Sequence, residues 1–190
     1  MKNLAIIYHS GSGHTERIAT EVAAGARTQP AIGAHLLQAP SLAPEDLLRY
    51  DGFVFGSPTY LGGVSGVFKT FMDSTGGLWK RQQLRGRLAA GFTVSALPSG
   101  DKQTTLLSLF VFAMQHGMVW VGNAIVPEQH SGVPETQAAN RLGSWSGLMA
   151  QAGHTLHGEA FVPGDIRTAR LFGAHVARSL TRLAREDVAP

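Results

Sequence analysis

A short apolar run that breaks into a glycine- and hydroxyl-rich loop, and then into a helix pattern, constrains this chain most. Leu4, Ala5, Ile6, Ile7 and Tyr8 are consecutive and apolar. They are too few for a core helix and show no alternation, which reads as a strand buried on both faces. Ser10-Gly11-Ser12-Gly13-His14-Thr15 follows, and over 15–27 the residues Ile18, Ala19, Val22, Ala23 and Ala26 fall on one helical face. A fully buried strand running straight into a helix is the opening of a parallel sheet with crossover helices.

The remainder repeats the alternation. Runs at 33–38, 52–56, 88–96 and 118–121 read as four more strands. A helical turn at 45–49 and helices at 65–75, 102–116 and 166–185 separate or follow them, with Asp165 placed to N-cap the last. The stretch 122–158 is irregular and rich in Gly, Pro, Gln and Asn. The expected fold is α/β: a three-layer, doubly wound, five-stranded parallel sheet. It forms one domain over 1–190 with an irregular insertion at about 122–160. In such sheets ligands bind outside the carboxyl ends of the strands, so the loops at 9–15, 57–63 and 95–101 should build the site.

Composition removes several function classes. With 44% hydrophobic and 15% charged residues, a chain of 190 can bury a sizeable core. It has no cysteine, hence no disulfide, thiolate metal site or cysteine nucleophile, which fits a reducing cytoplasm. The run at 4–8 is too short for a signal-peptide core. The apolar stretch at 106–121 is broken by Gln115, His116 and Gly117 and falls short of the ~20 residues that span a bilayer. The formal net charge is +3, with basic residues scattered apart from modest clusters at 80–87 and at Arg178, Arg182 and Arg185. A nucleic-acid binder carries a denser stripe. The expected protein is cytoplasmic, with neither nucleic acid nor membrane as partner. His154 and His157 lack a third ligand at suitable spacing, so no metal is expected.

The first loop has two uses in residue chemistry alone. It can be an ordinary strand-to-helix turn with a hydroxyl cap. It can also be a phosphate site, because glycines let backbone N–H groups approach a ligand and a helix N-terminus favours an anion. It lacks the lysine of a nucleoside-triphosphate loop and the three-glycine dinucleotide spacing. The loop Ser57-Pro58-Thr59-Tyr60-Leu61-Gly62-Gly63 likewise reads either as a turn or as backbone that can approach a flat ring. Trp79 can pack in a core, and His116 can simply cap a helix C-terminus.

The stretch from Ile6 to Val22, with apolar 6 and 7, aromatic Tyr8, Ser10, Gly13, Thr15, Ala19 and apolar Val22, resembles the flavodoxin FMN-phosphate signature. The segments Pro58-Thr59-Tyr60-Leu61-Gly62-Gly63-Val64-Ser65-Gly66, Phe68-Lys69-Thr70-Phe71-Met72-Asp73, Gly76-Gly77-Leu78-Trp79 and Gln115-His116-Gly117-Met118 resemble the flavodoxin-fold NAD(P)H:quinone oxidoreductases of the tryptophan-repressor-binding-protein group. The resemblance implies a flavodoxin-like sheet of order 2-1-3-4-5. It implies Ser10, Gly11, Ser12, Gly13, His14 and Thr15 around the FMN phosphate. Pro58, Thr59, Tyr60, Leu61, Gly62 and Gly63 would lie along the isoalloxazine and ribityl chain, with Ser95, Ala96, Leu97 and Gly100 in a third flavin loop. Leu97-Pro98 and Asp101 depart from the family's glycine-rich pattern in that loop. Trp79 and His116 would border the pocket used in turn by NADH or NADPH and a quinone, with His116 assisting proton transfer. The segment Asn140-Arg141-Leu142-Gly143-Ser144-Trp145 would serve the neighbouring pocket or subunit contacts in a homodimer or homotetramer. An electron carrier of the flavodoxin type, usually acidic, and a non-catalytic regulatory module are the competing readings.

Overall fold

The computed structural model describes residues 1–154 and 160–186. Strand β1 (Lys2–Tyr8) leads into helix α1 (His14–Arg27) and strand β2 (Ile32–Gln38). Two 3-10 turns, Ala39–Ser41 and Pro44–Arg49, lead to strand β3 (Gly52–Tyr60). A two-residue strand β4 (Gly63–Val64), helices α2 (Gly66–Ser74) and α3 (Gly76–Lys80), and strand β5 (Leu88–Ser95) follow. Helix α4 (Lys102–Gln115), short strands β6 (Val119–Trp120) and β7 (Leu148–Gln151), and helix α5 (Pro163–Glu186) complete the order.

The sheet runs β2-β1-β3-β5-β6, every neighbour along that path parallel. This is the expected 2-1-3-4-5 arrangement. The fifth position, however, is held by two pieces. β6 pairs with the start of β5 at Leu88 and Ala89, and β7 pairs with its end from Phe92 to Ser95. The strand expected at 118–121 is therefore only its first part, and the second part lies inside the stretch read as irregular. Sequence pattern gives little there: two residues carry no periodicity, and Leu148-Met149-Ala150-Gln151 follows a Gly/Ser/Trp segment that reads as loop.

Other boundaries moved for local reasons. β3 continues through Pro58 to Tyr60, because its outer end turns back to pair antiparallel with β4. The helix expected at 65–75 is capped by Ser65, whose Oγ accepts from Phe68 N–H at 3.2 Å, and gives way at Thr75 to the separate α3. α5 begins three residues before its expected start. Asp165 consequently sits in its first turn rather than capping it, with its carboxylate on the Arg141 guanidinium at 2.8 and 3.1 Å.

Strand alternation divides the core in two. Leu4, Ile6 and Tyr8 pack with Ile18, Val22, Phe172 and Val176 beneath α1 and α5. Ala5, Ile7, Phe53 and Phe55 pack with Phe68, Phe71, Leu106 and Leu109 on the face covered by α2, α3 and α4. α1 and α5 approach closely enough that a Cβ on Gly25 would collide with the Arg170 carbonyl and one on Gly173 with the Val22 carbonyl. The buried Glu21 carboxylate crosses this seam, paired with Arg17 at 2.9 Å and Arg170 at 2.5 Å.

Gly25→Ala and Gly173→Ala are each expected to destabilise the fold by about 1–3 kcal/mol, because backbone must move to admit the methyl. Gly66→Ala, at the open start of α2, is expected to be neutral or stabilising. Chemical denaturation of the three variants checks the contrast.

Candidate active site

The first loop is shaped by Gly13, whose φ of 87° places it in the left-handed region at the N-cap of α1. No side chain caps that helix, and the Arg17 N–H is bonded to the Gly13 carbonyl at 2.9 Å. The first-turn N–H groups therefore face the loop. Ser10 Oγ is buried with no hydrogen-bond partner, and Thr15 is buried beside it in the helix start. His9 is tied by Nδ1 to Ser65 Oγ at 2.8 Å, and burial holds its pKa below the ordinary imidazole value.

Three of the expected loops converge. Gly11, Ser12, His14 and Thr15, with Pro58, Thr59 and Tyr60, and with Val94, Ser95 and Ala96, line a cavity of about 440 Å³. Thr59 Oγ1 lies 2.8 Å from both Thr93 Oγ1 and Thr105 Oγ1, locking the end of β3 to β5 and α4. The wall is completed by Ala152, Gly153 and His154 after β7. Sequence reasoning missed these three as site residues; the signal that finds them is the β7 pairing, which sets the following turn beside the end of β5. Leu61, Gly62 and Gly63 are not in the wall: Leu61 is fully exposed at the tip of the β3–β4 turn. Leu97 and Gly100 also lie outside it.

Trp79 and His116 occupy a different cavity, of about 560 Å³, between α2, α3 and α4, with Met72, Thr75, Leu107 and Val111. Within one chain neither lines the first cavity. Trp79 is 47% exposed, so it is not a core residue. His116 is buried and stands edge-on to Phe112 at 4.8 Å. Thr75 Oγ1 donates to the Met72 carbonyl at 2.7 Å and lies 2.9 Å from His116 Nε2. With the hydroxyl proton so used, Nε2 carries the imidazole proton and Nδ1 is left as a bare, buried acceptor without a partner. Burial lowers the His116 pKa, which keeps the ring neutral near neutral pH.

Among the described residues no three His, Cys, Asp or Glu side chains come together as metal ligands; His157 lies outside the described residues. No described helix is long and apolar enough to cross a membrane.

The family model for NADPH-dependent FMN reductase matches residues 40–131. A flavodoxin FldP of Pseudomonas aeruginosa is 34% identical over 178 residues, covering 94% of this chain and 96% of that protein. An NAD(P)H dehydrogenase (quinone) of Archaeoglobus fulgidus is 32% identical over 209 residues, covering 96% and 100%. The crystal structure of a WrbA-like flavodoxin from Agrobacterium tumefaciens superposes with a TM-score of 0.72 at 34% identity, over 96% of this chain and 99% of that one. The chain belongs to the WrbA-like family of flavodoxin-fold proteins. It is an oxidoreductase flavoprotein, with FMN as cofactor. The residues present fit that cofactor. An orphaned Ser10 hydroxyl and an uncapped helix start supply donors for a phosphate, and the adjoining cavity has the size range of a cofactor pocket.

Ser10→Ala is expected to weaken FMN affinity about tenfold or more, the worth of a hydrogen bond to a charged group, with little change in apoprotein stability because the hydroxyl has no partner there. Flavin-fluorescence titration checks it. The depressed pKa values of His9, His116 and His175 also set a pH response. Below about pH 6.5 the unfolded chain takes up protons that these folded imidazoles refuse. Stability therefore falls as pH drops from 7 towards 5, less steeply in His116→Gln, as read by thermal melts.

Proposed function

We propose that this chain is an FMN-dependent NAD(P)H:quinone oxidoreductase working as a single-domain subunit in the cytoplasm. The observation that carries the reading is the convergence of three strand-end loops on one cavity beside an unsatisfied phosphate-type site. When bound, FMN supplies the two-electron chemistry that links NAD(P)H to a quinone. The chain's own residues bind and orient. Ser10, Ser12, Gly13 and Thr15 hold the phosphate, with Gly11 and His14 completing the loop. Pro58, Thr59, Tyr60, Ser95 and Ala96 wall the ring, with the 61–63 turn and Leu97 and Gly100 at its margins. No protein nucleophile is required.

Trp79 and His116 serve the substrate side. Trp79 offers an exposed aromatic face, and His116, whose Nε2–H meets Thr75 Oγ1 in the same cavity, is placed to relay a proton to the quinone as it takes up electrons. Their cavity is apart from the flavin cavity in one chain, and the apolar residues Leu107 and Val111 stand exposed beside it. Both facts are accommodated in a homodimer or homotetramer in which this cavity of one copy faces the flavin of another.

The likeness to a flavodoxin at 34% identity favours a second reading, an electron carrier. The net charge of +3 speaks against it, since carriers dock through complementary, usually acidic, fields. Steady-state oxidation of NADH or NADPH with benzoquinone, in protein loaded with FMN, separates the two. Parallel double-reciprocal lines are expected from alternating use of one site. Tight FMN binding without turnover would establish the carrier. His116→Ala is expected to lower kcat/KM for the quinone about 100-fold, the typical worth of a positioned acid–base group, with FMN affinity unchanged.

A further inference from the structure

The loop between β5 and α4 has five successive carbonyls engaged by partners within the protein. Ser95 O accepts from the Ala152 N–H at 3.1 Å, and Ala96 O from the Gln151 side-chain amide at 3.1 Å. The carbonyls of Leu97, Pro98 and Ser99 gather on the Lys102 ammonium, Pro98 at 3.1 Å and Ser99 at 3.5 Å. A planar trans peptide points its N–H opposite to its C=O. The N–H groups of Ala96, Leu97, Ser99 and Gly100 therefore face the other way, and among the described residues none of them has a hydrogen-bond partner.

Lys102 is completely buried, at 0% exposure. Among the described residues no carboxylate is in ion-pair contact with it. Asp165 on α5, the acid whose field reaches it, is already held through both oxygens by Arg141 of the 121–147 segment. Asp101, the residue before it, is exposed and makes no capping bond. Burial therefore dominates, bringing the ammonium pKa down to about 8, with Asp165 resisting and Arg141 adding to the fall. A buried cation satisfied by carbonyls alone is costly. Here it sits under the loop whose first residues, Ser95 and Ala96, wall the flavin cavity.

We propose that Lys102 is a positioning residue for the cofactor site: its ammonium gathers the 97–99 carbonyls and so fixes the loop whose first residues, Ser95 and Ala96, wall the flavin cavity. The proposal rests on the cofactor site described above. It also accounts for the loop's departure from the glycine-rich family pattern. A loop holding Leu97-Pro98 and few glycines cannot mould itself to a ligand freely, and an internal cation sets its shape instead.

Two substitutions test it. Lys102→Met keeps the stem and removes every donor; Lys102→Gln keeps an amide donor without the charge. FMN dissociation constants of both and of the wild type are read by flavin-fluorescence quenching, alongside melting of the apoproteins. The expected result is wild-type binding, a loss of about tenfold or more in Lys102→Met, and an intermediate value in Lys102→Gln. The wild type should also bind more weakly as pH rises through 8, and Lys102→Met should not share that step. The sign separates this from unfolding. An unfolded Lys keeps its proton to about 10.5 whereas Lys102 in the fold releases it near 8, so its contribution to stability rises over that window while FMN affinity falls. A folded Lys102→Met that binds FMN as the wild type does overturns the proposal and leaves the cofactor site standing. If Lys102→Met does not fold, the wild-type series decides, and an affinity flat between about pH 7 and about pH 9.5 overturns it. A wild-type chain that does not bind FMN overturns the site itself, and the role of Lys102 with it.

Discussion

Covering a parallel sheet on both faces is the constraint on which the rest of this molecule depends. Once α1 and α5 close one face and α2, α3 and α4 the other, side chains along the strands are committed to packing. Backbone polar groups are committed to the ladders. Uncommitted backbone remains at the strand ends, and the three carboxyl-end loops are where the structure leaves donors unpaired. The site is thus a by-product of the layering, refined by a few residues that hold the loops still. Thr59 against Thr93 and Thr105 fixes one such loop. Gln151 and the Arg141–Asp165 pair fix another from the opposite side.

The chemistry divides accordingly. Loop backbone and small hydroxyls, with His14, Tyr60 and His154, line the cofactor cavity, and His116 and Trp79 line another. Such a division suits a flavoprotein, in which the reactive group is carried by the cofactor and the chain supplies shape, donors and field. It also separates two tasks that a single pocket would set in conflict: gripping a flat ring tightly and releasing one substrate for the next.

Much of this was legible in the sequence because it is local. The strand at 4–8, the helix after it and the loop between them are encoded in adjacent residues, and the buried-strand pattern recurs at 52–56 and 88–96. What escaped is non-local. β7 exists because β5 has an open side from Phe92 to Ser95, not because its four residues prefer extended backbone. Ala152, Gly153 and His154 reach the site through that pairing alone. Lys102 reads as a solvated helix start, since lysine is rarely buried, and nothing short of the folded loop shows three carbonyls converging on it. Trp79 and His116 were legible as a pair, but their distance from the flavin loops depends on how α2, α3 and α4 pack.

The divided fifth strand has one more consequence. Lengthy exposed edges are where sheets recruit other chains. Here the outermost position is two residues, then a departure over 121–147, then four residues. Gly147 meanwhile comes so close to Gly91 that an added Cβ would lie 2.5 Å from its carbonyl. No continuous ribbon of free amides is offered along that border. The excursion that looks like ornament on the fold also serves as its guard against fibrillar stacking.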